Sequence, residues 1–354
     1  MKKHFPLLCL LWLASVIVGC RTNTATPTAV PPTPVVSTTT FTNPLMNSGA
    51  DPWVIKKDGV YYYCHTLGDK IGLWKTTAMS QLGKATSKVV WLPPTTGGNS
   101  HNLWAPELHF IDGKWYIYYT AGSSPDLGTQ RTWVLENASA DPLTGTWTDK
   151  GQIFLPTANY WAIDGTILQL NNANYFIWSG YVKPSDITQR IYIAKMSNPW
   201  TLADKRAQLS YPQYSWETIG DPQPDVNEGP EILKKNGKVF LVYSASGCWT
   251  DDYALGMLTM SDSSDPMDST AWKKSSLPVF SKSSGAYGPG HNGFFQSPDG
   301  TEDWIIYHAN PQAGQGCGGA RSPRIQKFAW NADGTPNFGQ PIATSIPIAK
   351  PSGE

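Results

Sequence analysis

The chain of 354 residues carries no excess of either charge: 27 Lys and Arg balance 27 Asp and Glu, a formal net charge of +0. It has no basic stripe and no polybasic run, so neither a nucleic acid nor an anionic membrane surface finds a partner here. Its five cysteines include no C-x-x-C pair, which removes the usual zinc spacing. The glycine patterns that cradle nucleotide phosphates are missing too. No long stretch of 3.6-residue periodicity intervenes, which points away from a helical fold. What the sequence has in surplus is aromatic, 16 Trp and 16 Tyr. Some of these must fill a core, but exported sugar-binding proteins also stack aromatic faces on sugar rings, so a carbohydrate partner is consistent with the composition.

The first twenty residues, MKKHFPLLCLLWLASVIVGC, read as a secretory signal: two lysines, then an apolar run too short for a membrane span. Cys20 directly follows small residues and resembles the lipobox cysteine of a bacterial lipoprotein. That implies cleavage before Cys20, a lipid anchor on it, and a location at the cell surface or in the periplasm. Residues 21–40, RTNTATPTAVPPTPVVSTTT, are Thr- and Pro-rich and cannot bury a core, so they read as an extended spacer. One large domain is then expected over 41–354. Cys248 and Cys317 both fall in glycine-rich loops, where a disulfide can form in an oxidising compartment.

Five stretches share one design. PWVIKKDGVYYYCHT (52–66), PELHFIDGKWYIYYTAG (106–122), WAIDGTILQLNNANYFIWSGY (161–181), PEILKKNGKVFLVYSASG (230–247) and NGFFQSPDGTEDWIIYHAN (292–310) each give an apolar strand, a tight turn and a second aromatic strand. The turns fall near 58, 112, 172, 236 and 299. A hairpin recurring at this interval predicts an all-β, five-bladed β-propeller with one four-stranded sheet per blade.

Asp164 poses a problem within that pattern. It precedes an apolar strand among residues that read as buried, and an unpaired buried carboxylate is costly. The residues before the first strands are Asp51, Glu107, Asp164, the pair Glu228 and Glu231, and His291. In a propeller these entrances face one opening, so the expectation is a ring of carboxylates in four blades and a histidine in the fifth. Such a ring suits a hard cation such as Ca²⁺, or a pair of carboxyls flanking a glycosidic bond. A third acid nearby would raise the pKa of the general acid.

GADPWV (49–54), WAIDGT (161–166) and NEGPEI (227–232) closely resemble the three signature segments of glycoside hydrolase family 43, in the right order over essentially all of 41–354. SHNLWAPELHF, SGCWTDDYALG and GPGHNGF extend the resemblance toward α-L-arabinofuranosidases acting on 1,5-linked arabinan. The resemblance implies a five-bladed propeller that hydrolyses with inversion and requires no cofactor, with Ca²⁺ as an optional ion. It makes Asp51 the general base, Asp164 the residue that orients and tunes the acid, and Glu228 the general acid. An inverting pair stands about 6.5–9.5 Å apart. The substrate implied is plant cell-wall arabinan or its oligosaccharides.

Around this triad, Glu231 competes with Glu228 for the acid role, and Gly229 is read as allowing close substrate approach. His291 matches a channel position that can take part in a metal or water site, or serve as a hydrogen-bonded histidine without metal. Arg321 and Arg324 are both candidates for the arginine set against the sugar, with Arg321 the better spaced from Gln326. Trp104 can stack on a sugar or belong to the core. A β-xylosidase, an endo-arabinanase, or a non-catalytic sugar-binding surface lipoprotein would share the same scaffold.

Overall fold

The computed structural model describes residues 39–221 and 224–354. The signal segment 1–20, Cys20 and nearly all of the spacer 21–40 lie outside the described residues.

Four antiparallel four-stranded meanders and one three-stranded meander form the blades. Blade 1 comprises Trp53–Lys57, Val60–Cys64, Ile71–Thr76 and Thr86–Trp91. Blade 2 comprises His101–Ile111, Lys114–Gly122, Arg131–Asn137 and Thr148–Gln152. Blade 3 comprises Ala162–Leu170, Ala173–Gly180, Arg190–Asn198 and Thr201–Ser210. Blade 4 comprises Asn227–Lys235, Lys238–Ala245, Ala254–Ser261 and Lys273–Lys274, and blade 5 comprises Tyr287–Gln296, Asp303–Asn310 and Ser322–Lys327. The first strands of successive blades lie against one another around the whole ring, blade 5 meeting blade 1.

The turns explain why these hairpins form. Asp58-Gly59, Asp112-Gly113, Asn171-Asn172 and Asn236-Gly237 all have positive φ at both residues, between 49° and 81°. Two such residues build the turn whose twist matches that of the flanking strands, and Asn, Asp and Gly adopt it most readily. The second strands then bury alternate side chains toward opposite neighbours. Trp115, Ile117 and Tyr119 face blade 1, whereas Tyr116 and Tyr118 face blade 3. Blades 3 and 4 share a cluster that holds Ile177 and Leu241, blades 4 and 5 one with Val242 and Ile305, and blades 5 and 1 one with Ile306 and Val54. The core is therefore five seams around an axis, and every second strand is apolar on both faces.

Blade 5 departs from the expected four strands. Residues 43–49, leading into blade 1, run beside its third strand in the fourth strand's place. The backbone N–H of Leu45 donates to Pro323 O (2.9 Å) and that of Gly49 to Arg321 O (3.0 Å). Pro44 follows Asn43, and the Asn43 side chain makes the pairing: its Nδ2 donates to Ile325 O at 2.9 Å and its Oδ1 accepts from Ile325 N at 3.0 Å. Covering this edge closes the ring. Thr40–Thr42 then pairs with Pro347–Ala349, so the two ends of the described domain meet. Cys248 and Cys317 form the disulfide, linking a blade 4 loop to a blade 5 loop.

Candidate active site

Each first strand is kinked near its start. Asp51, Ala105, Asp164, Gly229 and His291 all lie in the left-handed region, with φ of 57°, 41°, 55°, 53° and 47°. In blades 2 to 5 the strand ladder slips at the kink, between Trp104 and Glu107, Ile163 and Thr166, Glu228 and Glu231, and Gly290 and Gly293. A bulge of this kind re-aims a side chain away from the faces of its sheet.

The kinks correct the expected ring. The equivalent positions hold an acid in blades 1 and 3, His in blade 5, and Ala and Gly in blades 2 and 4. Glu107 and Glu231 stand two residues farther along their strands, and Glu228 one residue earlier. A signal for this register was present: proline follows the kink in three blades, as Pro52, Pro106 and Pro230. Alignment on proline, rather than on the nearest acid, pairs Asp51 with Ala105 and Gly229.

Asp51 is buried and surrounded by donors. Thr66 Oγ1 donates to its Oδ2 at 2.6 Å, and Arg321 Nη1 donates to its Oδ1 at 3.2 Å. Its own backbone N–H donates to His308 Nδ1 at 3.0 Å, so that nitrogen is unprotonated and its 3.6 Å approach to Oδ1 is not an ion pair. Burial alone would raise the Asp51 pKa, but the Arg321 charge and the Thr66 hydrogen bond outweigh it and hold the carboxyl below the usual range. His291 Nδ1 lies 3.4 Å from Oδ1, and burial depresses the pKa of this imidazole. Asp51 is thus an ionised carboxylate with a fixed orientation.

Glu228 is tuned the other way. Burial pushes its pKa up to about 7, with the Asp51 charge adding to the rise while Tyr253 and Arg321 oppose it. Tyr253 Oη donates to Glu228 Oε1 at 2.8 Å. Asp164 Oδ2 accepts the N–H of Gly229 at 3.0 Å, so it grips the residue after Glu228. Burial, and then the Glu228 charge, raise the Asp164 pKa well above the carboxylate range. A third acid was expected to raise the Glu228 pKa; the rise comes first from burial, and the like charge that adds to it is Asp51 rather than Asp164. Gly229 also serves the imidazole beside it: a Cβ there would stand 3.1 Å from His291 Nδ1, so its bareness makes room for the ring.

This geometry gives a pH prediction. If Glu228 must be protonated to act, kcat/KM falls as pH rises through about 7, while the low Asp51 pKa puts the acidic limb far below. The Tyr253 hydroxyl favours the ionised Glu228, so Tyr253→Phe should move the basic limb to higher pH. A pH–rate profile checks this, and an unmoved limb would remove Glu228 from the acid role.

The remaining candidates separate clearly. Glu107 and Glu231 are buried in the channel: Glu107 bonds His109 Nε2 at 2.8 Å, and Glu231 accepts Trp53 Nε1 at 3.1 Å. Neither lines the pocket floored by Asp51, Asp164 and Glu228. Arg324 is fully buried and donates to Gly285 O (2.7 Å) and to the carbonyls of Ile342 and Ala309 (3.4 Å each), so it braces blade 5. Trp104 and His291 line the pocket with the triad and Arg321. As for a cation, among the described residues no group of three or more His, Cys, Asp or Glu is arranged to hold one, and the Asp51 oxygen facing His291 already binds a guanidinium. Thr66, Tyr253 and His308 all lay within segments already singled out, Thr66 and His308 in two of the hairpins and Tyr253 in SGCWTDDYALG, but nothing in those segments marked their side chains for the site.

The pocket holds about 630 Å³, with the carboxyls at its floor and Leu127, Trp161, Tyr181 and Trp249 on its walls. One carboxylate kept ionised and a second with its pKa raised to about 7, on different blades around one such pocket, is an arrangement suited to splitting a glycosidic bond. Residues 41–336 match the model of Glycosyl hydrolases family 43. The chain belongs to that family. Among its family-43 relatives, the extracellular exo-α-(1→5)-L-arabinofuranosidase of Streptomyces avermitilis is 43% identical over 88% of this chain and 66% of its own length. A protein of the same name from Streptomyces chartreusis is 40% identical over 76% of this chain and 82% of its own. The chain thus spans just under two thirds of the first of these relatives. The crystal structure of an α-L-arabinofuranosidase from Lactobacillus brevis superposes with a TM-score of 0.81, at 36% identity over 86% of this chain and 98% of that one.

Proposed function

We propose that this family-43 hydrolase releases single L-arabinofuranose units from α-1,5-linked arabinan or its oligosaccharides, with inversion. The observation that carries the reading is the opposed tuning of two carboxyls on one pocket: Asp51 held ionised, Glu228 raised to about 7. Asp51 takes a proton from a water molecule as that water attacks the anomeric carbon. Glu228 gives its proton to the departing oxygen as the C–O bond breaks, leaving both carboxyls one proton from their starting states. Asp164 holds the Glu228–Gly229 peptide, and Arg321 keeps the base charged. An inverting reaction calls for a carboxyl gap of about 6.5–9.5 Å, which room for the water requires.

The relatives named exo-enzymes favour single-unit release. Arabinan endo-1,5-α-L-arabinosidase A of Aspergillus niger is more distant, at 26% identity. A β-xylosidase shares the fold at 16% identity, which speaks for the scaffold alone. A non-catalytic binder would have no use for two carboxyls tuned apart. The relatives' extracellular location supports export of this chain, and the lipobox-like Cys20 supports a lipid anchor as the means of retention.

Linear 1,5-arabino-oligosaccharides should yield arabinose alone, whose first-formed anomer, seen by proton NMR before mutarotation, is opposite to the substrate's. Aryl arabinofuranoside should be cleaved well and aryl xyloside poorly. Internal fragments or a retained configuration would overturn the reading.

A further inference from the structure

The antiparallel meander brings each blade back to the active-site face after its second strand and again after its last. Among the described residues, the large apolar side chains that stand exposed gather in those returning loops, Val89 and Ile346 excepted. An apolar set so one-sided, continuous with a pocket, marks a contact surface.

One part of it is rigidly built. Trp161 stacks on Tyr181 with ring centroids 4.5 Å apart and planes 12° from parallel. The Trp161 indole N–H donates to Leu127 O at 2.8 Å, and its backbone carbonyl accepts from Tyr181 N at 3.2 Å. With that N–H engaged, the indole has only apolar surface left to offer. Leu127 sits on a short 3₁₀ turn, capped where the Asp126 side chain accepts Gly128 N–H at 3.0 Å, and remains 55% exposed. All three residues line the pocket above the acids.

Their sector has a meaning for the reaction. In an inverting displacement the water and the leaving group occupy opposite sides of the anomeric carbon. The base stands on blade 1, and in a five-membered ring the sector opposite blade 1 is the seam of blades 3 and 4. Glu228 reaches the departing oxygen from blade 4, and the Trp161–Tyr181 stack rises from blade 3. We propose that Trp161 and Tyr181, braced by Leu127, form the leaving-group subsite, a platform for the apolar face of the second sugar ring. This inference rests on the proposed exo-acting, inverting function and deepens it: the enzyme prefers a pentose chain to a simple alkyl glycoside.

The test compares kcat/KM on α-1,5-arabinotriose with kcat/KM on methyl α-L-arabinofuranoside. Trp161→Ala should lower the ratio of the two roughly tenfold, and Trp161→Phe should restore most of it. Leu127→Ala, at an exposed position, should lower the same ratio by a smaller factor. An unchanged ratio in Trp161→Ala and Leu127→Ala overturns the subsite even if both rates fall together. Wild-type enzyme that cleaves neither substrate overturns the proposed function itself, and that result appears before any variant is made.

Discussion

Asp51→Asn should reduce kcat by about 10²–10⁴, the range a general base contributes, while the protein still folds and binds sugar. The amide matches the carboxylate in size but keeps a single oxygen: with that oxygen toward Arg321, the Nδ2 faces Thr66, whose hydroxyl can accept where it had donated. What disappears is the charge that accepts the water's proton. Loss of that charge leaves the Arg321 guanidinium beside a neutral group, so a modest drop in melting temperature should accompany the kinetic loss. Far-ultraviolet circular dichroism and a melting curve separate this from unfolding. Retention of more than about a hundredth of the wild-type rate would show that Asp51 is not the base.

Glu228→Ala should nearly abolish hydrolysis of arabino-oligosaccharides, again by about 10²–10⁴, because the departing alkoxide is too basic to leave unprotonated. An aryl arabinofuranoside with an acidic phenol needs no such proton and should lose far less. The contrast between the two substrates is the signature, since a merely misfolded site would lower both alike. Glu231→Ala supplies the comparison: its carboxyl is occupied by the Trp53 indole and lies outside the pocket, so it should show no dependence on leaving group. If Glu231→Ala shows that dependence instead, the acid role moves there.

Much of the fold was legible because it is written locally. Asp-Gly, Asn-Gly and Asn-Asn turns impose a backbone that few other residues accept, and the apolar second strands announce burial on both faces. The three acids Asp51, Asp164 and Glu228 stood out for the same reason, each near the entrance of a recognisable strand. Their relative height in the channel was legible only through the prolines that follow the kink, Pro52, Pro106 and Pro230. A single-residue kink moves a side chain between levels, and the nearest acid is a poor guide to where it falls. The tuning was not legible. Arg321 and His308 reach Asp51 from blade 5 only when the ring closes. Thr66 and Tyr253 sit on the same blades as the acids they bond, but 15 and 25 residues away along the chain. The closure itself, with Asn43 standing in for part of a missing strand, depends on a segment that reads as plain loop.

The kink also separates two demands that most enzymes must meet with the same residues. The apolar side chains of the first strands belong to a seam, and changing one disturbs the packing of two blades. A side chain at the kink belongs to no seam, so its chemistry can change at little cost to the scaffold. The five blades therefore offer five addressable positions, each with its own degree of tolerance. Ala105 already carries a Cβ in the left-handed conformation, whereas at Gly229 a Cβ would come within 3.1 Å of His291. Asp and Asn suit that backbone better than alanine does. Of these two kinks, the one in blade 2 already carries a buried Cβ and the one in blade 4 is closed to it.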